Sequence, residues 1–353
     1  MIVKNDCHFF KGDVPCITHK KTGVHCEQCK DYKSIGKQIL IIKLGAAGDV
    51  IRTTPILHGI ISRYSNPEIT WLTRYPVFVP ESIVANILNW NLESIIWLQS
   101  RKFDILYNLD KDRETIGLAN ILSAKIKKGY LTDKFGKCKP ADADAKHKWT
   151  TGIFDDISKI NKLSYPQEIF NMCGFSFNKE KYILDIPKTN TLFNLDFSKR
   201  IIGLNTGCGR RWQTRLWGRE NWIKLSKILK ADGYNPLLLG GPAEDSLNKY
   251  IEENSPALYL GYFNLYDFIN LMNKCDLIVT SVTMALHVAI SLNKKIVLFN
   301  NIFNRSEFEL YDLGIILEPE NKDCIACYKN YCPEICMSSI SPELVYSKIA
   351  ELL

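Results

Sequence analysis

The chain has 353 residues, of which 46% are hydrophobic and 24% charged, a composition typical of a soluble protein large enough for two domains. Its 45 lysines and arginines exceed its 38 aspartates and glutamates, and a net charge of +7 suits a polyanionic substrate or an acidic membrane surface without requiring either. No run approaches the roughly 20 apolar residues that span a bilayer, and the N-terminus lacks the apolar segment of a signal peptide. We therefore expect a cytoplasmic protein without a nucleic-acid partner, whose contact with the cytoplasmic membrane would be peripheral and at its inner face.

Residues 1–35 form a predicted N-terminal extension with few apolar residues, so it cannot build a core of its own. It contains Cys7, Cys16, Cys26 and Cys29, four of the twelve cysteines in the chain. Four thiolates that end in a Cys-x-x-Cys pair can surround one tetrahedral zinc ion, which would supply the folding energy that the segment lacks. The alternative is a set of free thiols in an extension without fixed structure.

The stretch 38–57, QILIIKLGAAGDVIRTTPIL, predicts a buried strand, a glycine-rich turn and a helix. In open α/β sheets, ligands bind outside the carboxyl ends of the strands, so Asp49 should lie at the mouth of a crevice. A carboxylate there can accept a proton from a substrate hydroxyl, or it can cap the helix. The spacing alone slightly favours the cap. Arg52, close behind it, is a predicted acceptor-binding residue.

Residues 36–190 form the predicted first domain, in which strands at 69–73, 103–109 and 124–130 alternate with helical segments. This order predicts a parallel, doubly wound sheet. The polar segment 139–152 predicts a long surface loop, of the kind that often holds substrates. Asp110 directly follows a strand and is a predicted acceptor-binding residue, with a solvated turn as the alternative.

A proline and several turn-forming residues at 186–199 predict the junction to a second domain at 191–340, followed by a C-terminal helix at 341–353. The predicted strands of the second domain lie at 201–205, 235–241, 257–260, 276–280 and 295–300. The sequence therefore predicts two doubly wound α/β domains that face each other across a cleft.

The second domain carries a predicted site for a diphosphate. The sequence NTGCG at 205–209 follows a strand and supplies the Thr206 hydroxyl and the Gly207 amide, and Arg210, Arg211 and Arg215 follow. Backbone amides, a hydroxyl and guanidinium groups bind phosphate oxygens well. The alternative is a basic loop that enters a helix.

A second anion site is predicted at 280–284, where a strand ends and the N-terminus of a helix presents free amides. His287 lies on that helix among apolar neighbours, so the residues favour a buried, hydrogen-bonded histidine over a catalytic one.

The C-terminal part contains Cys324, Cys327, Cys332 and Cys336, spaced C-x2-C-x4-C-x3-C. Four sulfurs so close in sequence can bind one ion. Structural zinc is the first hypothesis, an iron site or iron–sulfur cluster the second, and disulfides the third, because disulfides are rare in a reducing compartment.

Several of these segments together resemble a known family. KLGAAGDVIRTTPIL, GLNTGCGRRWQTRLWGRENWIKLSKIL, LLLGGPAED and IVTSVTMALHVAISLNKKIVLF occur in the order found in the family-nine glycosyltransferases, which include the lipopolysaccharide heptosyltransferases. The resemblance covers roughly residues 38–353, and cysteine-bearing members of the wider family are similar at both ends. It implies a GT-B fold with two Rossmann-like domains, a nucleotide sugar held by the second domain, and an inverting transfer without a catalytic metal or other cofactor.

The resemblance also implies roles for individual residues. Asp49 matches the proposed general base. The residues that match positions around the donor are Thr206 on the phosphates, Arg215 in place of a phosphate-binding lysine, Glu244 at the ribose, and Thr283, Met284 and His287 at the start of the late helix. In the heptosyltransferase pattern D-T/S-G, the first and third positions are here Val282 and Met284, which puts the identity of the donor in question.

The leading hypothesis is an enzyme that transfers a sugar, with heptose from ADP-heptose as the first candidate. The acceptor would be a glycan, as in lipopolysaccharide biosynthesis, a lipid-linked saccharide or a protein. The alternative is an inactive nucleotide-binding or metal-binding scaffold of the same fold.

Overall fold

A computed structural model describes residues 1–209, 212–320, 325–333 and 336–353. In the N-terminal extension, the short helix α1 (Ile17–Thr22) begins at Cys16, whose sulfur accepts a hydrogen bond from the His19 amide at 3.5 Å. A single β-bridge between Cys7 and Ser34 closes the extension. The segment thus has local structure, but α1 has no buried residue.

The first domain is built on a sheet of six strands. In chain order they are β1 (Gln38–Ile42), β2 (Glu68–Thr73), β3 (Asn86–Asn89), β4 (Lys102–Asn108), β5 (Ser123–Thr132) and β6 (Cys138–Pro140). Their order in the sheet is β3-β2-β1-β4-β5-β6, and all pairs are parallel except β5 with β6. Ile39 to Ile42 of β1 are fully buried, because a parallel sheet is covered by helices on both faces.

The helices of the first domain follow its strands. They are α2 (Ala47–Ile51), α3 (Ile56–Arg63), α4 (Leu92–Gln99), α5 (Arg113–Ile121), α6 (Lys146–Thr151), α7 (Asp155–Ile160) and α8 (Tyr165–Met172). The Asn91 and Ser164 side chains accept hydrogen bonds from backbone amides and so cap α4 and α8.

The second domain repeats this plan. Its strands are β7 (Ile201–Asn205), β8 (Asn235–Leu239), β9 (Leu258–Tyr259), β10 (Leu277–Ser281), β11 (Lys295–Phe299) and β12 (Gly314–Leu317), all parallel, in the sheet order β12-β11-β10-β7-β8-β9. Its helices are α9 (Arg219–Ala231), α10 (Asp245–Asn254), α11 (Leu265–Asn273), α12 (Met284–Ser291) and α13 (Pro342–Leu352). The prediction of two doubly wound, parallel α/β domains is confirmed.

Two features differ from the sequence-based predictions. The segment 139–152 is not a long loop, since it contains the end of β6 and all of α6. Trp149 holds it to the domain by donating a hydrogen bond from Nε1 to the Cys138 carbonyl at 3.0 Å. The strands β3 and β12 were not predicted, because both lie at a sheet edge and are too short and incompletely buried to give a long apolar run.

The two domains meet where α2 packs against α12. Gly48 of α2 makes this contact possible, because a Cβ atom at that position would lie 2.6 Å from Cδ2 of His287. One cluster of buried apolar side chains includes residues of both domains, among them Ile41, Val50, Ile278 and Leu286. None of the described helices combines the length and the apolar character needed to cross a bilayer.

Candidate active site

A cavity of about 900 Å³ lies between the domains, at the carboxyl ends of β1, β7 and β10. The first domain contributes Ala46, Gly48, Asp49 and Arg52 to its wall, and the second contributes, among others, Asn205, Gly207, Arg215, Glu244, Thr283, Met284, His287 and Glu307. Small-molecule sites typically have volumes of about 300–1,000 Å³, so the cleft can hold a nucleotide sugar.

Asp49 is the third residue of α2, and its two carboxylate oxygens have different partners. Oδ2 accepts a hydrogen bond from the Ala46 amide at 3.2 Å, which is the helix-capping contact, and Oδ1 lies 2.8 Å from Nη2 of Arg52. Burial raises the pKa of Asp49, but Arg52, then Lys43 and His287, lower this pKa more strongly, to about 2. The carboxylate is therefore ionised at neutral pH, faces the cleft and also caps the helix.

Arg52 lies between two carboxylates that come from different domains. Besides Asp49, its guanidinium approaches Glu307, with Nη1 3.8 Å from Oε2, and it stacks on the Tyr165 ring at 3.5 Å from the centroid. Its Nε atom is buried and donates no hydrogen bond to any described residue. Burial raises the pKa of Glu307, although Lys148 and Arg52 act in the opposite direction.

His287 lies on α12 opposite Gly48 and is 5% exposed. Its Nδ1 is 3.5 Å from the Tyr182 hydroxyl, and the two rings are stacked. Burial, and then the charge of the neighbouring Arg52, lower the pKa of His287 to about 3. Asp49 acts in the opposite direction but offsets only part of this shift. The imidazole is therefore neutral at physiological pH and acts in the cleft wall as a hydrogen-bonding group rather than as a cation.

On the opposite side of the cleft, Arg215 is 7% exposed and is held by backbone carbonyls. Its two Nη atoms donate to the carbonyls of Val282 and Cys208, and Nε donates to that of Trp212 at 3.4 Å. Burial lowers the pKa of Arg215 to about 10, so the guanidinium remains charged at neutral pH. Since a guanidinium has five N–H donors, Arg215 retains capacity for an anionic ligand.

Four further predicted donor-binding residues line the cleft together with Arg215, namely Gly207, Glu244, Thr283 and Met284. Glu244 accepts a hydrogen bond from the Gly241 amide at 2.9 Å through Oε2, and its side chain lies so close to Gly207 that a Cβ atom there would be 2.3 Å from Oε1. Thr283 caps α12, with its Oγ1 accepting from the Ala285 amide at 3.2 Å. Met284, the first residue of α12, also lines the cleft.

Two predicted residues lie beneath the cleft loops instead of in the cleft wall. Thr206 is buried, and its hydroxyl donates to Oδ1 of Asn248 at 2.6 Å. Asp110 is also buried, pairs with Lys43, and accepts hydrogen bonds from the amides of Leu44 and Gly45. Both side chains thus support the loops of the cleft, and their contacts with donor and acceptor stay predictions. Arg210 and Arg211 lie outside the described residues.

Glu307 and Tyr182 also belong to the site, although neither is predicted from the sequence. Glu307 follows the carboxyl end of β11, and this position at the end of a parallel strand was a signal that could have identified it. Tyr182 belongs to the segment 174–200, which contains no helix or strand, and no sequence pattern places it against His287.

The predicted metal sites are not confirmed. Cys7, Cys16, Cys26 and Cys29 all line one cavity of about 270 Å³, but within the described part of the chain no three or more His, Cys, Asp or Glu side chains are grouped so that they could hold an ion. Of the C-terminal cysteines, Cys324 lies outside the described residues, while Cys327, Cys332 and Cys336 are unpaired thiols. Metal binding by either group stays a prediction.

Comparison with known proteins identifies a family that part of the chain resembles. The model of glycosyltransferase family 9 (heptosyltransferase) matches residues 163–307. The resemblance to the family-nine glycosyltransferases is confirmed. The match includes residues of the second domain that line the cleft, such as Arg215 and His287, but begins after Asp49. The matching family is one of glycosyltransferases, as the sequence predicts.

Individual proteins show the same likeness. The lipopolysaccharide core heptosyltransferase OpsX of Haemophilus influenzae is 22% identical over 272 residues, which cover 72% of this chain and 76% of the relative. A glycosyl transferase family 9 structure from Veillonella parvula has a TM-score of 0.70 at 19% identity, covering 90% of this chain and 97% of that one. The E. coli heptosyltransferase WaaC, solved with ADP-2-deoxy-2-fluoro heptose, has a TM-score of 0.62 at 15% identity, and the match covers 90% of this chain and 100% of WaaC. These likenesses confirm the predicted GT-B fold.

Proposed function

We propose that the protein transfers a sugar from a nucleoside-diphosphate sugar to a hydroxyl group of an acceptor, with inversion at the anomeric carbon and without a catalytic metal. One observation carries the proposal. Asp49 of the first domain and Arg215 of the second line the same cleft, together with the amino end of α12. These are the two kinds of group that such a transfer needs, a base for the nucleophile and positive groups for the leaving diphosphate.

In the proposed reaction, the acceptor oxygen forms a bond to the anomeric carbon while the bond from that carbon to the diphosphate breaks. Asp49 takes the hydroxyl proton, a role that typically contributes about 10²–10⁴-fold to the rate. The electron pair of the broken bond leaves with the nucleoside diphosphate, whose negative charge Arg215 and the free amides at the start of α12 stabilise. Because the base and the anion site belong to different domains, the two domains must together enclose the bound donor and acceptor.

For the donor, ADP-heptose is the first candidate, because an ADP-heptose analogue is bound to WaaC and the Haemophilus relative is named as a heptosyltransferase. The acceptor we propose is a glycan, a lipid-linked saccharide or a protein. Met284 lines the cleft where the resembling enzymes have glycine, so a panel of nucleotide sugars is needed to identify the donor.

Substitution of the base provides the test. We expect Asp49→Asn to lower the transfer rate by about 100-fold or more while the affinity for ADP changes less than about twofold, since the carboxamide keeps the shape but cannot accept the proton. Arg215→Ala should have the opposite pattern, with ADP affinity reduced in calorimetry. Asp312→Asn is the control, because Asp312 is exposed and its positive φ of 59° is tolerated by asparagine. An active Asp49→Asn protein would exclude Asp49 as the base.

An inactive scaffold of the same fold is the second candidate function. One observation favours it. Asp49 is bound to Arg52 and has a pKa of about 2, so in this arrangement it is a weak base. Binding of ADP without turnover of any donor in the panel would support the scaffold and exclude the transferase.

A further inference from the structure

The network around Asp49 joins the two domains. Arg52 of the first domain is 2.8 Å from a carboxylate oxygen of Asp49 and 3.8 Å from one of Glu307, which belongs to the second domain. All three side chains line the cleft, with exposed fractions of 32% for Asp49, 14% for Arg52 and 18% for Glu307. The guanidinium is therefore shared between two carboxylates in an environment with little water to screen the charges.

This sharing bears on the chemistry of Asp49. A carboxylate that is paired with an arginine holds a proton poorly, and its paired oxygen is not free for a substrate hydroxyl. Asp49 can act as a base only when the hold of Arg52 on Oδ1 is relaxed. If the guanidinium left Asp49 with no other anion nearby, a positive charge would remain unpaired in a mostly buried site, which is costly.

Glu307 is held in place to receive that charge. Asn304, three residues earlier, donates hydrogen bonds across the domain boundary to the carbonyls of Ser158 at 2.8 Å and Asn161 at 2.6 Å. The Asn304 side chain also accepts from the Ser306 amide at 3.0 Å, which fixes the short turn that carries Glu307. The position of Glu307 relative to the first domain is thus set by direct bonds to that domain.

Two features of Arg52 allow a small shift of its guanidinium. Its Nε atom has no hydrogen-bond partner among the described residues, and its guanidinium lies on the flat face of Tyr165, where sliding by about 1 Å keeps the stacking contact. Nη2 contacts Asp49 and Nη1 faces Glu307, so a movement of Nη1 from 3.8 Å to hydrogen-bonding distance of Glu307 would shift the pairing of the guanidinium from Asp49 towards Glu307.

We propose that Glu307 is a positioning residue that takes up the Arg52 guanidinium when the acceptor hydroxyl approaches Asp49, so that Asp49 is released to act as the base. Glu307 does not touch the reacting atoms in this scheme and acts through Arg52. The inference rests on the proposed function, because it assigns Glu307 a part in the same transfer.

The test compares Glu307→Gln with Glu309→Gln. Glutamine keeps the size of the side chain but cannot balance a guanidinium. We expect Glu307→Gln to lower kcat about tenfold with the KM for the donor changed less than about twofold, since one lost charge interaction of this kind is worth about one pKa unit. Glu309→Gln should leave both constants unchanged, because Glu309 is not among the described residues that line the cleft, and glutamine can also accept its hydrogen bond from the Tyr311 amide.

A double-substitution cycle separates positioning from general structural damage. In an Arg52→Gln background, Glu307→Gln should change kcat by less than about twofold, because the residue through which it acts is gone. A tenfold loss that persists in that background would overturn the proposal. An unchanged kcat for Glu307→Gln alone, or an equal loss for Glu309→Gln, would overturn it as well.

Thermal unfolding of the same four proteins (unsubstituted, Arg52→Gln, Glu307→Gln and the double variant) tests the pairing without turnover. Non-additive shifts of Tm support the Arg52–Glu307 interaction, and additive shifts overturn the proposal. If the unsubstituted protein transfers no sugar from any donor but the Tm shifts are non-additive, the proposed function fails while the pairing is retained, so the two failures are distinguishable.

Discussion

Gly48→Ala tests how tightly the two domains are packed beside the candidate base. A Cβ atom at Gly48 would lie 2.6 Å from Cδ2 of His287 and 3.4 Å from the Met284 Cα. The His287 ring is buried and stacked on Tyr182, so it cannot move away at little cost. Overpacking of this kind destabilises a protein by about 1–3 kcal/mol. The higher helix propensity of alanine stabilises the folded protein by up to about 1 kcal/mol and offsets part of that cost.

Gly117→Ala is the matched control, because Gly117 also lies within a helix, α5, and has no atom within 4 Å of an added Cβ. We expect Gly117→Ala to stabilise the protein by about 0.5–1 kcal/mol. The propensity gain is common to both variants, so the difference in unfolding free energy isolates the steric cost, which should be about 1–3 kcal/mol. Urea unfolding measures both values. A Gly48→Ala protein as stable as Gly117→Ala would refute the close approach of α2 to His287.

Two other predictions concern buried charge. Asp110→Asn should destabilise the protein by about 3 kcal/mol or more in urea unfolding, because it leaves Lys43 charged, buried and unpaired. Glu351→Gln is the control, and its loss of the partly exposed pair with Lys348 should change stability by less than about 1 kcal/mol. Equal effects of the two substitutions would contradict the buried pair. For His287, burial lowers the pKa to about 3 from the usual 6.5, so the unfolded chain binds a proton that the folded protein does not bind between those pH values. The stability of the unsubstituted protein should therefore fall as the pH falls from about 6.5 towards 3, and His287→Asn should make this decline shallower. If the His287→Asn protein has the same pH dependence of unfolding as the unsubstituted protein, the imidazole already protonates in the folded state.

The central strands of both sheets could be predicted from the sequence. β1 and β7 each carry apolar residues on both faces, and each is followed by a glycine-containing turn. The same feature located the candidate site, because the carboxyl ends of parallel strands in a doubly wound sheet share one edge. Asp49 and Arg215 were placed near the cleft for this reason, and both line it. The edge strand β3 gave no such signal, since its ends are asparagines and it is only partly buried.

The direction of individual side chains could not be predicted in the same way. At the end of β7, Asn205 and Gly207 line the cleft, while the Thr206 side chain between them points away from it to Asn248. This is the alternation expected of extended backbone, and its phase depends on which face of the sheet is turned towards the other domain. A resemblance in sequence identifies the residue at a position, but it does not show whether that side chain points into the cleft or away from it.

Asp49 illustrates why the choice between helix cap and base was not decisive in the sequence. The two roles exclude each other only if the carboxylate is treated as a single group. In the structure Oδ2 caps the helix through the Ala46 amide, and Oδ1 faces Arg52, which the spacing of three residues on a helix places on the same side. The cap therefore fixes the carboxylate while leaving one oxygen for chemistry, and the availability of that oxygen depends on Arg52. Because the other partner of Arg52, Glu307, comes from the second domain, the basicity of Asp49 depends on how the domains meet, which no local pattern in the first domain encodes.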